Sequence, residues 1–342
     1  MTQTFMAAEI AEAGAIVRRQ LAANSALTAK VAADLRALKP PFVATVARGS
    51  SDHAALYLKH LVELKLGLAC ASIGPSIASL YHAPLRLAGA LAITISQSGR
   101  SPDIVALQAA ARRAGAFTLA LVNDVDSPAA RGAECLLPLY AGVEKSVAAT
   151  KSMIAALVAG AALLGEWAGE TALTDAVAKL PALLSAAHAP PPRALVELVA
   201  GAKSAFVIGR GATFAVAAEA ALKLKETCAI HAEAFSSAEV LHGPAGIITP
   251  GFLVIAFMPQ DAAREGMGET LRRLAGMGAN IVVVDVAPSP APSALVVPAA
   301  DHPLLTPVVM IHRFYGLVEA CAQALGRDPD NPPHLRKVTE TK

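Results

Sequence analysis

Aromatic side chains are scarce in this chain, 4% of residues against 54% hydrophobic overall. The interior must therefore be assembled from Ala, Val, Leu and Ile, which suits helices laid on a buried sheet better than an all-β design. Charge is sparse and balanced, with 29 Lys and Arg against 27 Asp and Glu. No block of like charge could neutralise a run of phosphates, so nucleic acid is excluded as an expected partner. The longest apolar stretch, Ser152–Gly165, is shorter than the roughly 20 residues of a membrane-spanning helix and is flanked by Lys151 and Glu166. A buried helix is expected there, and no membrane partner. The opening MTQTFMAAEIAEAG has acids where a secretory signal has bases, and no apolar segment follows, so a cytoplasmic protein is expected. Cys70, Cys135, Cys228 and Cys321 lie far apart without a CxxC pair. That argues against a zinc knuckle or redox pair and for reduced core residues.

What is present is a repeat. With 342 residues the chain is long enough for two domains of roughly 150 residues each. FVATVARGSSDHAALYLKHL at Phe42–Leu61 is echoed by AFVIGRGATFAVAAEAALKLK at Ala205–Lys225, Gly49 falling on Gly211 at an offset of 162. The same offset places LAITI (Leu91–Ile95) on LVIAF (Leu253–Phe257) and Asn123 on Asp285. Each half reads as strand, Gly-containing turn, helix, strand, turn and helix, with Gly115 or Gly278 before a third strand. Short apolar strands alternating with helices predict an α/β fold, a doubly wound three-layer arrangement with a parallel sheet flanked by helices in each half. The expected divisions are a helical segment over 1–38, a first domain over 39–169, a helical linker over 170–201 interrupted by Pro181 and Pro190–Pro192, a second domain over 202–327 and a tail over 328–342.

Ligands of such sheets bind beyond the carboxyl ends of the strands. After LAITI comes Ser96-Gln97-Ser98-Gly99-Arg100-Ser101-Pro102 and a helix; after the first strand comes Arg48-Gly49-Ser50-Ser51 and another helix. Hydroxyls and unpaired N–H groups at helix starts form an anion site that needs no metal, although serines there are ordinarily N-caps. Two such turns on neighbouring strands point to a phosphate. The matching turn of the second half, Met258-Pro259-Gln260-Asp261, has lost the serines and gained an acid, so one phosphate pocket per chain is expected.

SQSGRS after a strand, GVEKSVAATK at Gly142–Lys151, ALKLKE at Ala221–Glu226, HAEAFSSAEVLHGP at His231–Pro244 and the terminal HLRKVTE together resemble the isomerase portion of glutamine:fructose-6-phosphate amidotransferases, built of two tandem sugar isomerase (SIS) domains. The amidotransferases carry a glutaminase domain with a cysteine after the initiator Met; here position 2 is Thr2, which implies no glutamine hydrolysis. The resemblance extends to the stand-alone branch that includes glucosamine-6-phosphate deaminases and sugar-amine deglycases. It implies that Ser50, Ser51, Ser96, Gln97, Ser98 and Ser101 line the phosphate and sugar hydroxyls, with backbone contacts from Val147. Departures are Ser50 in place of Thr in Gly-Thr-Ser, Ala238-Glu239-Val240-Leu241-His242-Gly243-Pro244 in place of GELKHGP, and Arg100 in place of Glu.

The implied chemistry is ring opening followed by proton movement between carbons 1 and 2. Glu226 is the implied proton shuttle, with Lys223 three residues earlier on the same helical face to stabilise developing oxygen charge. Without the resemblance, this pair reads as a solvated helical ion pair. His242 is the implied ring-opening acid/base, since imidazole titrates near neutrality. In the amidotransferases the matching histidine reaches the sugar from a partner subunit, which implies a homodimer whose active site the partner completes. Lys337 holds the position of the lysine that forms a Schiff base with the open ketose; it must be unprotonated to attack, and closure of the tail over the pocket is expected to desolvate it. His231, Glu233 and Glu239 have no metal-ligand spacing, and no metal or cofactor is implied. The leading expectation is conversion of glucosamine 6-phosphate to fructose 6-phosphate and ammonia. A fructosamine-phosphate deglycase and a non-catalytic sugar-phosphate sensor are the alternatives.

Overall fold

A computed structural model describes residues 3–337 apart from Pro288, Pro290 and Pro292. Thr2, the Val338-Thr339-Glu340 end of the HLRKVTE motif and the last residues of the 328–342 tail lie outside the described residues. The chain opens with α1 (Phe5–Ala11) and α2 (Ala13–Leu38) and continues through β1 (Val43–Val46), α3 (Ser50–Leu66), β2 (Cys70–Ser72), α4 (Ser76–Ser79), β3 (Leu91–Ser96), α5 (Pro102–Arg113), β4 (Phe117–Val122), α6 (Pro128–Gly132), β5 (Cys135–Pro138), α7 (Lys151–Ala168) and α8 (Thr171–Ala187). There follow α9 (Arg193–Ala200), β6 (Ser204–Gly209), α10 (Ala212–Cys228), β7 (His231–Ser236), β8 (Leu253–Phe257), α11 (Arg264–Gly276), β9 (Asn280–Val286), β10 (Ala294–Val297) and α12 (Thr306–Ala324).

Two compact units result. The first holds residues 15–144, 151–181 and the chain from Arg336; the second holds the chain up to Gly14, 145–150 and 182–335. Each contains one all-parallel sheet, in the order β2-β1-β3-β4-β5 in the first and β10-β9-β8-β6-β7 in the second. VATV of β1, LAITIS of β3 and LVIAF of β8 are buried along their whole length, which is why these runs are continuously apolar rather than alternating. The fold class is the α/β arrangement that the pattern predicts.

The register shows how far the repeat extends. Val43 pairs with Leu91 in the first sheet and Ala205 with Leu253 in the second, both at the offset of 162. Leu91 then pairs with Phe117, whereas Leu253 pairs with Asn280. The second half thus carries one extra residue between these strands, so Asp285 matches Val122 rather than Asn123. Gly49 and Gly211 have the same conformation, φ 55°, ψ −133° and φ 57°, ψ −133°. A side chain rarely adopts this geometry, and it turns each chain from its strand into α3 or α10.

The segments outside the repeat are divided between the units. α1 joins the second, where Thr4 caps it, Asp330 accepts from the Phe5 and Met6 N–H groups at 2.7 and 2.8 Å, and His312 Nε2 donates to the Ile10 carbonyl at 3.0 Å. α2 joins the first unit from Ala15 onward. Pro181 does not interrupt a helix as expected but lies inside α8; the units divide immediately after it, where the bond a proline cannot donate is lost.

α7 is rich in Ala and Gly and nearly all buried, its Gly160 leaving space for Leu58 of α3. It and the segment Pro303–Ala324 are apolar and long enough to cross a membrane, yet 83% of each is buried within the protein, as core helices are. All four cysteines are free thiols; Cys70, Cys228 and Cys321 are buried and Cys135 half-buried.

Candidate active site

β1 and β3 are neighbours and parallel, so their carboxyl ends bring the Arg48–Ser51 and Ser96–Ser101 turns to the same sheet edge. The hydroxyls divide into two groups. Ser96 Oγ accepts from the Gly99 N–H at 2.9 Å and Ser98 Oγ from the Arg100 N–H at 3.3 Å, holding the turn. Ser101 stands at the N-cap of α5 without making a cap bond. Among the described residues the Ser50, Ser51 and Ser101 hydroxyls have no hydrogen-bond partner. Ordinary capping therefore does not account for them. Gln97 is half-buried in the same turn. Gly99 has φ +61°, and a Cβ there would lie 2.1 Å from Ser127 Oγ, so a side chain is excluded by conformation and by space. Two guanidiniums flank the turns: Arg48 Nε donates to the fully buried Asp103 at 2.5 Å, and Arg100 Nε donates to Asp124 at 2.9 Å. Arg100 is the largest cause holding Asp124 below the usual carboxylate range.

The corresponding turn of the second unit spends its polar groups internally. Arg264 makes a paired contact with Asp285, at 2.9 and 2.8 Å, Gln260 donates to the same carboxylate at 3.0 Å, and Asp261 accepts from the Ala263 N–H.

α10 carries the carboxylate cluster. Lys223 Nζ lies 2.5 Å from Glu226 Oε2 and 3.4 Å from Glu219 Oε1, and the Tyr315 hydroxyl of α12 donates to Glu219 Oε1 at 3.0 Å. Glu219, Lys223 and Tyr315 are fully buried, while 22% of the Glu226 side chain is exposed. The pair is therefore not a solvated surface bridge. A buried lysine between two carboxylates is charge-compensated, and only Glu226 at the open end can meet a ligand. Glu219 and Tyr315 escaped the sequence reading. Glu219 lies four residues before Lys223 and was detectable by helical spacing, whereas Tyr315 is brought in by packing of α10 on α12.

Lys337 belongs with the first unit, its Nζ 2.7 Å from Glu144 Oε2. Glu144 is fully buried and also accepts from the Ser152 N–H at 3.1 Å and the Ser152 hydroxyl at 2.7 Å, at the start of α7. Burial works to raise its carboxyl, but the Lys337 charge and the Lys337 and Ser152 hydrogen bonds outweigh it and leave it below its ordinary value. Glu144 lies within GVEKSVAATK, yet nothing in that motif says which cation it meets. The Val147 N–H donates to the Asp330 carbonyl at 3.1 Å and is not available to a ligand. His242 is exposed in the turn after β7, its ring without a hydrogen-bond partner among the described residues. Among the described residues no three His, Cys, Asp or Glu side chains converge as metal ligands would.

Residues 41–165 and 198–323 each match the SIS domain. The isomerizing glutamine–fructose-6-phosphate aminotransferase of Symbiobacterium thermophilum is 34% identical over 324 residues, 90% of this chain and 52% of that enzyme. The chain spans about half the length of the curated relatives it matches. A solved structure from Silicibacter pomeroyi DSS-3, named only provisionally as a phosphosugar isomerase, is 45% identical with a TM-score of 0.90, covering 96% of this chain and 100% of its own. The C-terminal domain of glucosamine-fructose-6-phosphate aminotransferase from Francisella tularensis is 25% identical with a TM-score of 0.82, covering 97% of this chain and 99% of its own.

Proposed function

The chain belongs to the SIS-domain family, and on that premise we propose that it is a phosphosugar isomerase converting glucosamine 6-phosphate to fructose 6-phosphate and ammonia. The observation that carries this reading is the Glu219–Lys223–Glu226 cluster, whose buried part is charge-compensated and whose last carboxylate alone is open. The unpartnered hydroxyls of Ser50, Ser51 and Ser101, with the turn of Ser96, Gln97 and Ser98, are assigned the phosphate and sugar hydroxyls. Glu226 takes the proton from carbon 2 of the open-chain aldehyde and returns it to carbon 1, while a proton of the carbon-2 amine passes to the carbon-1 oxygen, leaving an imine at carbon 2. Lys337, freed from Glu144, displaces ammonia from that imine, and water then hydrolyses the Schiff base to the ketose and restores the amine. His242 is assigned ring opening, across to a partner subunit, because its own chain leaves it exposed and unpaired.

The test is an ammonia-release assay with glucosamine 6-phosphate, its N-acetyl form and its galacto epimer. Release from the first, lost in Glu226→Gln and after removal of the chain from Leu335 onward, is expected. Mixing inactive His242→Ala and Glu226→Gln chains is expected to restore activity, since a shared dimer contains one complete site. A fructosamine-phosphate deglycase is the second reading. Arg100, fixed by Asp124 yet about half exposed, offers a cation to an amino-acid carboxylate; release of amino acid instead of ammonia decides for it. Hexose-phosphate binding without any turnover overturns both and leaves a sensor.

A further inference from the structure

The second unit holds an open cavity of about 510 Å³ between α1, the 188–191 segment and the last turns of α12. Its floor is α12, where Gly316, Ala320 and Ala324 recur every four residues and keep the space clear. Ile10 of α1 stands on one side and Ala189, Pro190 and Pro191 on the other. Arg313 fixes that second wall, its guanidinium donating to the Ala189 carbonyl and, at 3.0 Å, to the Pro190 carbonyl.

One acidic side chain lines this space. Glu319 is only 7% exposed. Its Oε1 accepts from the Thr4 hydroxyl at 2.7 Å and from the Gln323 amide. These bonds account for its service to the start of α1, but both fall on one oxygen. Oε2 has no hydrogen-bond or ion-pair partner among the described residues, and it is not among the polar atoms sealed from solvent. A carboxylate this far from bulk water with no counter-ion is costly, and a cation at Oε2 offsets that cost. The cavity opens at the C-terminal turn of α12, whose dipole also favours positive charge.

The lining rejects other ligands. No Lys or Arg faces a phosphate or carboxylate there, and no Ser or Thr hydroxyl meets a sugar. Among the described residues no three His, Cys, Asp or Glu side chains converge on a metal. We infer that this cavity binds a small organic cation, its N–H donors on Glu319 Oε2 and its apolar body between Ile10 and the Ala189–Pro191 wall. A closed cavity of about 150 Å³ accommodates benzene, so a ring-sized body fits. The inference uses none of the residues assigned to the isomerase reaction, so either can fail without the other.

The test is a ligand-observed NMR titration of the full chain with benzylammonium, and with benzyl alcohol and benzoate as neutral and anionic counterparts, at pH 8, above the range in which imidazole titrates. Saturable binding of benzylammonium, about tenfold weaker for benzyl alcohol and absent for benzoate, is expected. Glu319→Gln keeps an oxygen for Thr4 while removing the charge, and should weaken benzylammonium about tenfold. Gly316→Leu is the control for folding: a Cβ at Gly316 meets nothing within 4 Å and Leu favours the helix, so the variant should melt no lower than wild type while its side chain fills the floor and weakens binding about tenfold. Absence of saturable binding, benzoate binding as tightly as benzylammonium, or affinity unchanged in Gly316→Leu or in a folded Glu319→Gln overturns the inference.

Discussion

The Glu144–Lys337 contact makes a prediction whose sign can be worked from the structure. Replacing Lys337 by Met removes a cation that pairs with a fully buried carboxylate. Breaking a buried pair from one side costs about 3–5 kcal/mol. Ser152 still supplies two hydrogen bonds at the start of α7, and the helix dipole returns about 1 kcal/mol, so a loss of about 3 kcal/mol is expected near neutral pH. Glu144→Gln removes a charge-assisted bond and should cost about 2 kcal/mol, because the ammonium of Lys337, 24% exposed, can still reach water. The double variant should lose little more than either single one, giving a coupling of at least about 1.5 kcal/mol in a urea-unfolding cycle.

The dependence on pH follows. In the wild type the folded carboxyl lies below its ordinary 4.5, so its stabilisation is fully present above that pH and is lost as pH falls through the depressed value. In Lys337→Met burial acts without the lysine and pushes the carboxyl up. The folded chain then keeps a proton that the unfolded chain has released, and stability falls as pH rises above 4.5. The gap between wild type and variant should therefore widen from pH 4.5 towards 7. A gap that stays flat over this range, or a coupling below about 0.5 kcal/mol, refutes the account of Glu144 as an ionised, lysine-compensated carboxylate.

His312, drawn down to about 4 by burial, should cost the second unit about 3 kcal/mol as pH falls from 6.5 to 4; His312→Gln should abolish that slope in urea melts, and an unchanged slope would assign it to other groups. Gly99→Ala should destabilise by at least about 2 kcal/mol, since the new Cβ meets Ser127 and the backbone has φ +61°; a melting temperature equal to wild type would contradict that geometry. Tyr315→Phe strips one donor from Glu219 and should slow turnover while leaving substrate affinity unchanged, whereas Glu226→Gln should abolish turnover in a folded protein. Steady-state kinetics beside circular dichroism separates these two, and an unaltered rate in Glu226→Gln counts against Glu226 as the proton carrier.

Local pattern alone determined the two parallel sheets, the Gly49 and Gly211 turns and the paired serine turns at one sheet edge, because continuous apolar strands and the glycine conformation are set by residues near in sequence. The position of Lys223 relative to Glu226 was equally legible, being a matter of helical pitch. Other features required the folded chain. The extra residue that moves Asp285 out of line with Asn123 is visible only in strand register. Tyr315 reaches Glu219 across 96 positions, and Lys337 reaches Glu144 across 193. Such partners are chosen by helix packing and by the compensation a buried charge demands, neither of which leaves a periodic trace in the sequence. The same holds for α1, which is joined to the second unit by Asp330 and His312, and for the Glu319 carboxylate, whose division into one bonded and one open oxygen appears only once α1 has closed on α12.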